Sequence, residues 1–133
     1  MGAFELLEHT ADIGIRATGA SLEEVFEQAT AGLAEVLGAW RPGPGEPEAL
    51  AVAGDDPGGL LVDWLNEILW LLEVRQAAVA GVRVRRVGGG RASGELALTG
   101  GPPDGTTVKA ATFHQLLVEP ADGGWVAEVY LDV

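Results

Sequence analysis

Residues 57–75 constrain the fold more than any other stretch. Leu60, Leu61, Trp64, Leu65, Ile68, Leu69, Leu71 and Leu72 crowd a single helical run, and a helix this apolar is a core element that other layers must enclose. Asp56 is placed to cap its N-terminus, with Pro57 at the first helical position. Asp63, Asn66 and Glu67 interrupt the run, so it does not read as a bilayer span. With Trp70 these polar positions form one stripe at i, i+3, i+4 and i+7. Asp63 and Glu67 are like charges four residues apart, which destabilises a helix by about a few tenths of a kcal/mol. A cation, a basic partner or plain solvation must answer that pair.

The flanking segments change period. Near the N-terminus, Ile13, Ile15 and Ala17 alternate with Asp12, Gly14, Arg16 and Thr18, the pattern of a half-buried strand that follows another short apolar run, Phe4-Glu5-Leu6-Leu7. Ser21 and Glu24 form a capping box ahead of a helix whose apolar face is Leu22, Val25, Phe26, Ala29, Leu33, Val36 and Leu37, with Gly38 as its stop. Residues 39–48 are a Pro/Gly-rich loop, with Trp40 either a contact residue or, as favoured, a lid on the core, and a short strand is expected over 49–53. Residues 79–87 and 91–99 read as a hairpin about Gly88-Gly89-Gly90. Its arginines, Arg83, Arg85, Arg86 and Arg91, either bind phosphate or, as the favoured expectation, form a solvated strand face paired with the acidic half. The triple glycine lacks the Gly-Lys-Ser/Thr ending and following helix of a phosphate loop. A strand over 108–118 and a last one over 125–133, joined at Asp122-Gly123-Gly124, complete the chain.

At 133 residues with no cysteine, the chain fits a single domain, 1–133, with no disulfide, thiolate zinc site or cysteine nucleophile. No signal peptide is visible, so the expectation is a cytoplasmic protein without a membrane role. The net charge of −12 lies entirely in the first half: residues 1–74 hold fourteen acidic and two basic residues, residues 75–133 six of each. Such a surface grips nucleic acid poorly, since phosphate contacts need Lys and Arg. It suits a basic protein surface or cations, and serves solubility in any case. Positive charge comes from seven arginines and one lysine, Lys109, a choice that marks either a need for an ammonium there or chance.

Chemistry concentrates at the chain ends. Asp12 lies opposite the isoleucines of its strand, where a carboxylate is either a metal ligand or an ordinary solvated side chain. Asp132 and the terminal carboxylate of Val133 put two anionic groups within one residue. If the last strand pairs beside Asp12, three carboxylates converge, and they need a cation to stay close and ionised. An all-oxygen set favours Ca²⁺, Mg²⁺ or Mn²⁺. The two histidines, His9 and His114, are either general bases or ligands, or hydrogen-bonded structural residues.

Four segments resemble the archease family, in family order and over nearly the whole chain: His9-Thr10-Ala11-Asp12-Ile13-Gly14-Ile15; Leu60-Leu61-Val62-Asp63-Trp64-Leu65-Asn66-Glu67-Ile68-Leu69; Val108-Lys109-Ala110-Ala111-Thr112-Phe113-His114; and Val129-Tyr130-Leu131-Asp132-Val133. Phe113 stands where Tyr is common and Gln115 where Gly is common. The resemblance implies an α+β fold, two α-helices packed on a mixed, largely antiparallel β-sheet in one compact domain. It implies an accessory protein, not an enzyme, that promotes GTP-dependent guanylylation and multiple turnover of the RtcB-type tRNA-splicing RNA ligase in tRNA splicing and RNA repair, meeting tRNA only through the ligase. It also implies a divalent ion, calcium, magnesium or manganese, on Asp12, Asp132 and the Val133 carboxylate, with Lys109 needed for activation. His9, His114, Asp63 and Glu67 are further candidates for acting on the partner. A general chaperone working through the Asp63/Glu67 stripe, and a metal-dependent phosphoester hydrolase using Asp12, Asp132 and a histidine, are the alternatives.

Overall fold

The computed structural model describes residues 2–9 and 12–133, the side chains of Glu8 and His9 excepted. In order come β1 (Ala3–His9), β2 (Asp12–Gly19), α1 (Leu22–Val36), β3 (Glu46–Ala53), α2 (Pro57–Arg75), β4 (Ala77–Gly88), β5 (Arg91–Gly100), β6 (Ala110–Ala121) and β7 (Gly124–Asp132). The α+β expectation holds, and the strands divide between two sheets. One has the order β1-β2-β7-β6 and the other β3-β5-β4, every strand pair antiparallel. Among the described residues the one parallel contact is an isolated bridge between Trp40 and Val79.

Both helices touch strands of both sheets, while the sheets scarcely touch each other. The layering is therefore sheet, helices, sheet. This explains why α1 is buried beyond the single face its apolar spacing marks: Ala31, Gly32 and Ala34 are buried as well as Val25, Phe26, Ala29 and Leu33. Gly32 allows the close approach, because a Cβ there would lie 2.9 Å from Ile15 Cγ2 and 3.2 Å from Phe4 Cδ1. α2 is enclosed as its composition demands, with Leu61, Trp64 and Leu65 wholly buried. The helices are locked by a polar link in this apolar layer. Trp64 Nε1 donates to Thr30 Oγ1 at 3.0 Å, and that hydroxyl donates to the Phe26 carbonyl at 2.7 Å.

Local signals act where the sequence puts them. Ser21 Oγ accepts from Glu24 N–H at 3.1 Å, and Asp56 Oδ1 from Gly59 N–H at 2.8 Å. Gly89 and Gly90, both at positive φ, make the β4–β5 turn, and Asp122 and Gly123 the β6–β7 turn. Other boundaries move. β3 starts at Glu46, since Pro47 is tolerated on an edge strand. β6 starts at Ala110, so Lys109 precedes it, and its pairing jumps between Thr112 and Leu117 in a wide bulge that holds Gln115 at φ +52°.

Among the described residues, no carboxylate of the acidic half pairs with the hairpin arginines, contrary to expectation. Arg85 pairs within the hairpin, donating to Glu95 at 2.6 and 3.2 Å, and this hydrogen bonding holds the Glu95 carboxyl below its ordinary range. The α1 glutamates reach the β4 backbone instead: Glu27 Oε2 accepts from Val84 N–H and Glu23 Oε2 from Val87 N–H, each at 2.9 Å.

Candidate functional site

At one end of the four-stranded sheet, the register lines up His9, Asp12, Asp132 and Ala110 across all four strands. Residues directly opposite in adjacent strands project on the same face, with Cβ atoms about 4.5–5.5 Å apart. Asp12 and Asp132 are such a pair. The convergence that alternation alone left open is thus a matter of strand order: β7 lies beside β2. Asp12 is half-buried and Asp132 exposed. The next row on the same face, two residues further in, has Gly14 opposite Tyr130. A Cβ on Gly14 would come within 2.7 Å of the Tyr130 ring, so glycine is what lets this ring lie across β2. Thr112 Oγ1 donates to the Tyr130 carbonyl at 3.0 Å.

Lys109 is tied to the row by its backbone. Its N–H donates to the Asp132 carbonyl at 2.8 Å, and its side chain is exposed. The start of β6 is clamped from behind by Asn66 of α2: Asn66 Oδ1 accepts from Ala111 N–H at 2.7 Å and Nδ2 donates to the Ala111 carbonyl at 3.1 Å. Asn66 thus behaves as one residue of an added strand. Spacing marked it only as a polar position in the helix stripe. The signal that singles it out is that it alone of the stripe's three polar side chains is uncharged and half-buried.

The remaining candidates are more scattered. His114 is exposed in the β6 bulge, its N–H donating to Thr112 Oγ1 at 3.3 Å, and the bulge sets it off from the Asp12–Asp132 row. Asp63 and Glu67 are exposed on the outer side of α2. The backbone of His9 is opposite Asp12, while its side chain, and residues 10 and 11 of the same motif, lie outside the described residues. Among the described residues no three His, Asp or Glu side chains gather closely enough to hold one ion. The donor set at the row is two aspartates, which matches a hard cation once a third oxygen donor joins. Without an ion, like charges directly opposite are destabilising. Among the described residues no helix is long and apolar enough to cross a membrane.

Two antiparallel sheets around two helices, with a carboxylate pair closing one sheet end, define a small three-layer β/α/β protein. The archease protein family matches residues 4–133. The chain is 37% identical to the archease of Methanosarcina mazei, covering 98% of this chain and 95% of that protein. It is 34% identical to the archease of Thermococcus gammatolerans, with each chain covered in full. Among solved structures it is similar to Protein 1598 of Methanobacterium thermoautotrophicum, with a TM-score of 0.76 at 30% identity over 98% of this chain and 99% of that one. It is also similar to an archease of Thermotoga maritima described as a possible chaperone, with a TM-score of 0.70 at 25% identity over 97% and 96%. The chain belongs to the archease family.

Proposed function

We propose that this protein is an activating partner of an RtcB-type tRNA-splicing RNA ligase, promoting GTP-dependent guanylylation of the ligase and its repeated turnover. The observation that carries the reading is the Asp12–Asp132 pair with Lys109 tied by its backbone to Asp132. Asp12, Asp132 and the carboxylate of Val133 would hold a divalent ion, which when bound supplies fixed positive charge at the sheet end. Lys109 extends an exposed ammonium from the same end. Positive charge set where phosphoryl oxygens develop negative charge is the usual means of assisting such transfers. The chain's own task is positional. The β2–β7 register fixes the carboxylates, and Asn66 fixes the strand start that carries Lys109. The acidic surface suits a basic RNA-binding ligase, and tRNA is met only through it. Of the further candidates, Asp63 and Glu67 lie exposed on α2 and His114 in the β6 bulge, apart from the Asp12–Asp132 row, and suit contacts with the partner's surface outside the activating end.

The test is ligase guanylylation from radiolabelled GTP with wild type, Asp12→Ala and Lys109→Ala. Strong stimulation lost in both variants is the expected outcome. Stimulation that survives both substitutions rules out this site. A general chaperone role is the second reading, supported by the exposed Trp70 and Phe113, 58% and 64% accessible, and by the possible-chaperone description of the Thermotoga maritima archease. It calls for metal-independent suppression of aggregation of unrelated proteins.

A further inference from the structure

α2 turns a face to solvent that is both acidic and apolar. Asp63, Glu67, Trp70 and Val74 follow one another at helical spacing, and Glu73 adjoins them. Trp70 is 58% exposed and Val74 56%. Among the described residues none of the three acids carries an ion pair, and Arg75, the nearest cation on the helix, is engaged by Glu48 at 2.6 Å. Beside this face runs a cleft of about 590 Å³. Leu69, Trp70 and Glu73 form its helix side and Pro102, Pro103 and Val108 face them. Lys109 and Ala110 also line the cleft; Lys109 N–H donates to the Asp132 carbonyl and Ala110 is opposite Asp132, so the cleft adjoins the sheet end that carries Asp132.

An indole left in water and a row of unneutralised carboxylates are each unfavourable, the first through lost burial and the second through repulsion between Asp63 and Glu67. One occupant removes both: a peptide carrying a large apolar side chain flanked by Lys or Arg. A nucleic acid strand fits poorly, since its phosphates would meet Glu73 in the cleft and Glu67 beside it, with Lys109 the only cation among the described residues that line it. A second copy of this chain would bring the same acidic face against itself. We propose that the α2 cleft docks a basic segment of the ligase, anchored by an apolar side chain against Trp70, and so delivers the Asp12–Asp132 end to its target. The identity of the partner rests on the function proposed above.

The experiment separates affinity from effect. Ligase binding is measured by calorimetry without and with RNA, and guanylylation at saturating protein, for wild type, Trp70→Ala, the double variant Glu67→Lys/Glu73→Lys, and Asp12→Ala. All four positions are on or near the surface, and unchanged thermal midpoints establish that the variants fold. Trp70→Ala and the charge reversal should each weaken binding tenfold or more while saturating stimulation persists. Asp12→Ala should bind normally and fail to stimulate. Wild-type affinity in both cleft variants overturns the docking proposal and leaves the activator reading intact. Cleft-dependent binding with no stimulation by wild type does the reverse. Absence of wild-type binding, or an effect of the cleft variants only when RNA is present, also overturns the docking proposal.

Discussion

Asn66 makes with Ala111 the two hydrogen bonds that a neighbouring strand would make, accepting at 2.7 Å and donating at 3.1 Å. Helix α2 thereby closes the edge of β6 two residues from Lys109. Ala111 is buried, so Asn66→Ala leaves an N–H and a carbonyl without partners. The expected loss is about 1–3 kcal/mol, a fall in thermal midpoint of roughly 3–4 °C per kcal/mol for a domain of this size. Asn66→Asp keeps the acceptor and loses the donor, and should fall between. Faster amide exchange at Ala111 in Asn66→Ala, with most protection kept in Asn66→Asp, would tie the loss to this edge, and an unchanged rate in Asn66→Ala would detach it.

The Asp12–Asp132 pair predicts opposite effects with and without ions. In EDTA, Asp12→Asn and Asp132→Asn each remove a cross-strand repulsion and should leave stability equal or higher by up to about 1 kcal/mol. With a divalent ion at a hundred times its Kd, wild type should gain about 2.7 kcal/mol and the variants little. Thermal midpoints in EDTA, Ca²⁺, Mg²⁺ and Mn²⁺ decide the matter. An ion-dependent rise of the same size in all three proteins would put the ion elsewhere.

Thr30 is the sole buried polar residue of the described core, and it serves two partners. Thr30→Val keeps the shape and removes the acceptor for Trp64 Nε1, stranding an indole N–H between the helices at about 1–3 kcal/mol. Thr30→Ser keeps the hydroxyl and loses one methyl, about 0.8 kcal/mol. A double-mutant cycle with Trp64→Phe should show that the Thr30→Val loss shrinks once the indole N–H is gone. Additive losses in urea denaturation would mean that the bond contributes nothing.

The features legible in the sequence are those settled within a few residues. Ser21 with Glu24, Asp56 with Pro57, and the turns at Gly89-Gly90 and Asp122-Gly123 are local chemistry, and each acts where it stands. Alternation placed Asp12 opposite Ile15, and β2 buries Ile15 completely. The meeting of Asp12 with Asp132 needed the order β1-β2-β7-β6, which no periodicity encodes. The second sheet was hidden for a related reason. Ala31, Gly32 and Ala34 are small residues that read as neutral positions on a one-faced helix, yet they are buried because another layer closes over them. Asn66 looked like a surface residue because its partner, Ala111, is far along the chain.

The same long-range logic governs Glu23 and Glu27. On α1 they read as the wet side of an amphipathic helix, but their carboxylates accept from Val87 and Val84 N–H of β4 at 2.9 Å. Those N–H groups lie around a shift in the β4–β5 pairing, between Val84 and Arg86, where an edge strand would otherwise present unpaired donors. Hydrogen bonds to a charged acceptor contribute about 1.5–3 kcal/mol each. Glu27→Ala and Glu23→Ala should each lower stability within or somewhat below that range, because both sites are half-buried. Glutamine keeps an acceptor oxygen without the charge, so Glu27→Gln should recover part of the loss. The double alanine variant exposes the β4 edge and should self-associate at concentrations where wild type stays monodisperse by light scattering. Full stability in Glu27→Ala, or equal losses in the alanine and glutamine variants, would show that the carboxylates lie near β4 without holding it.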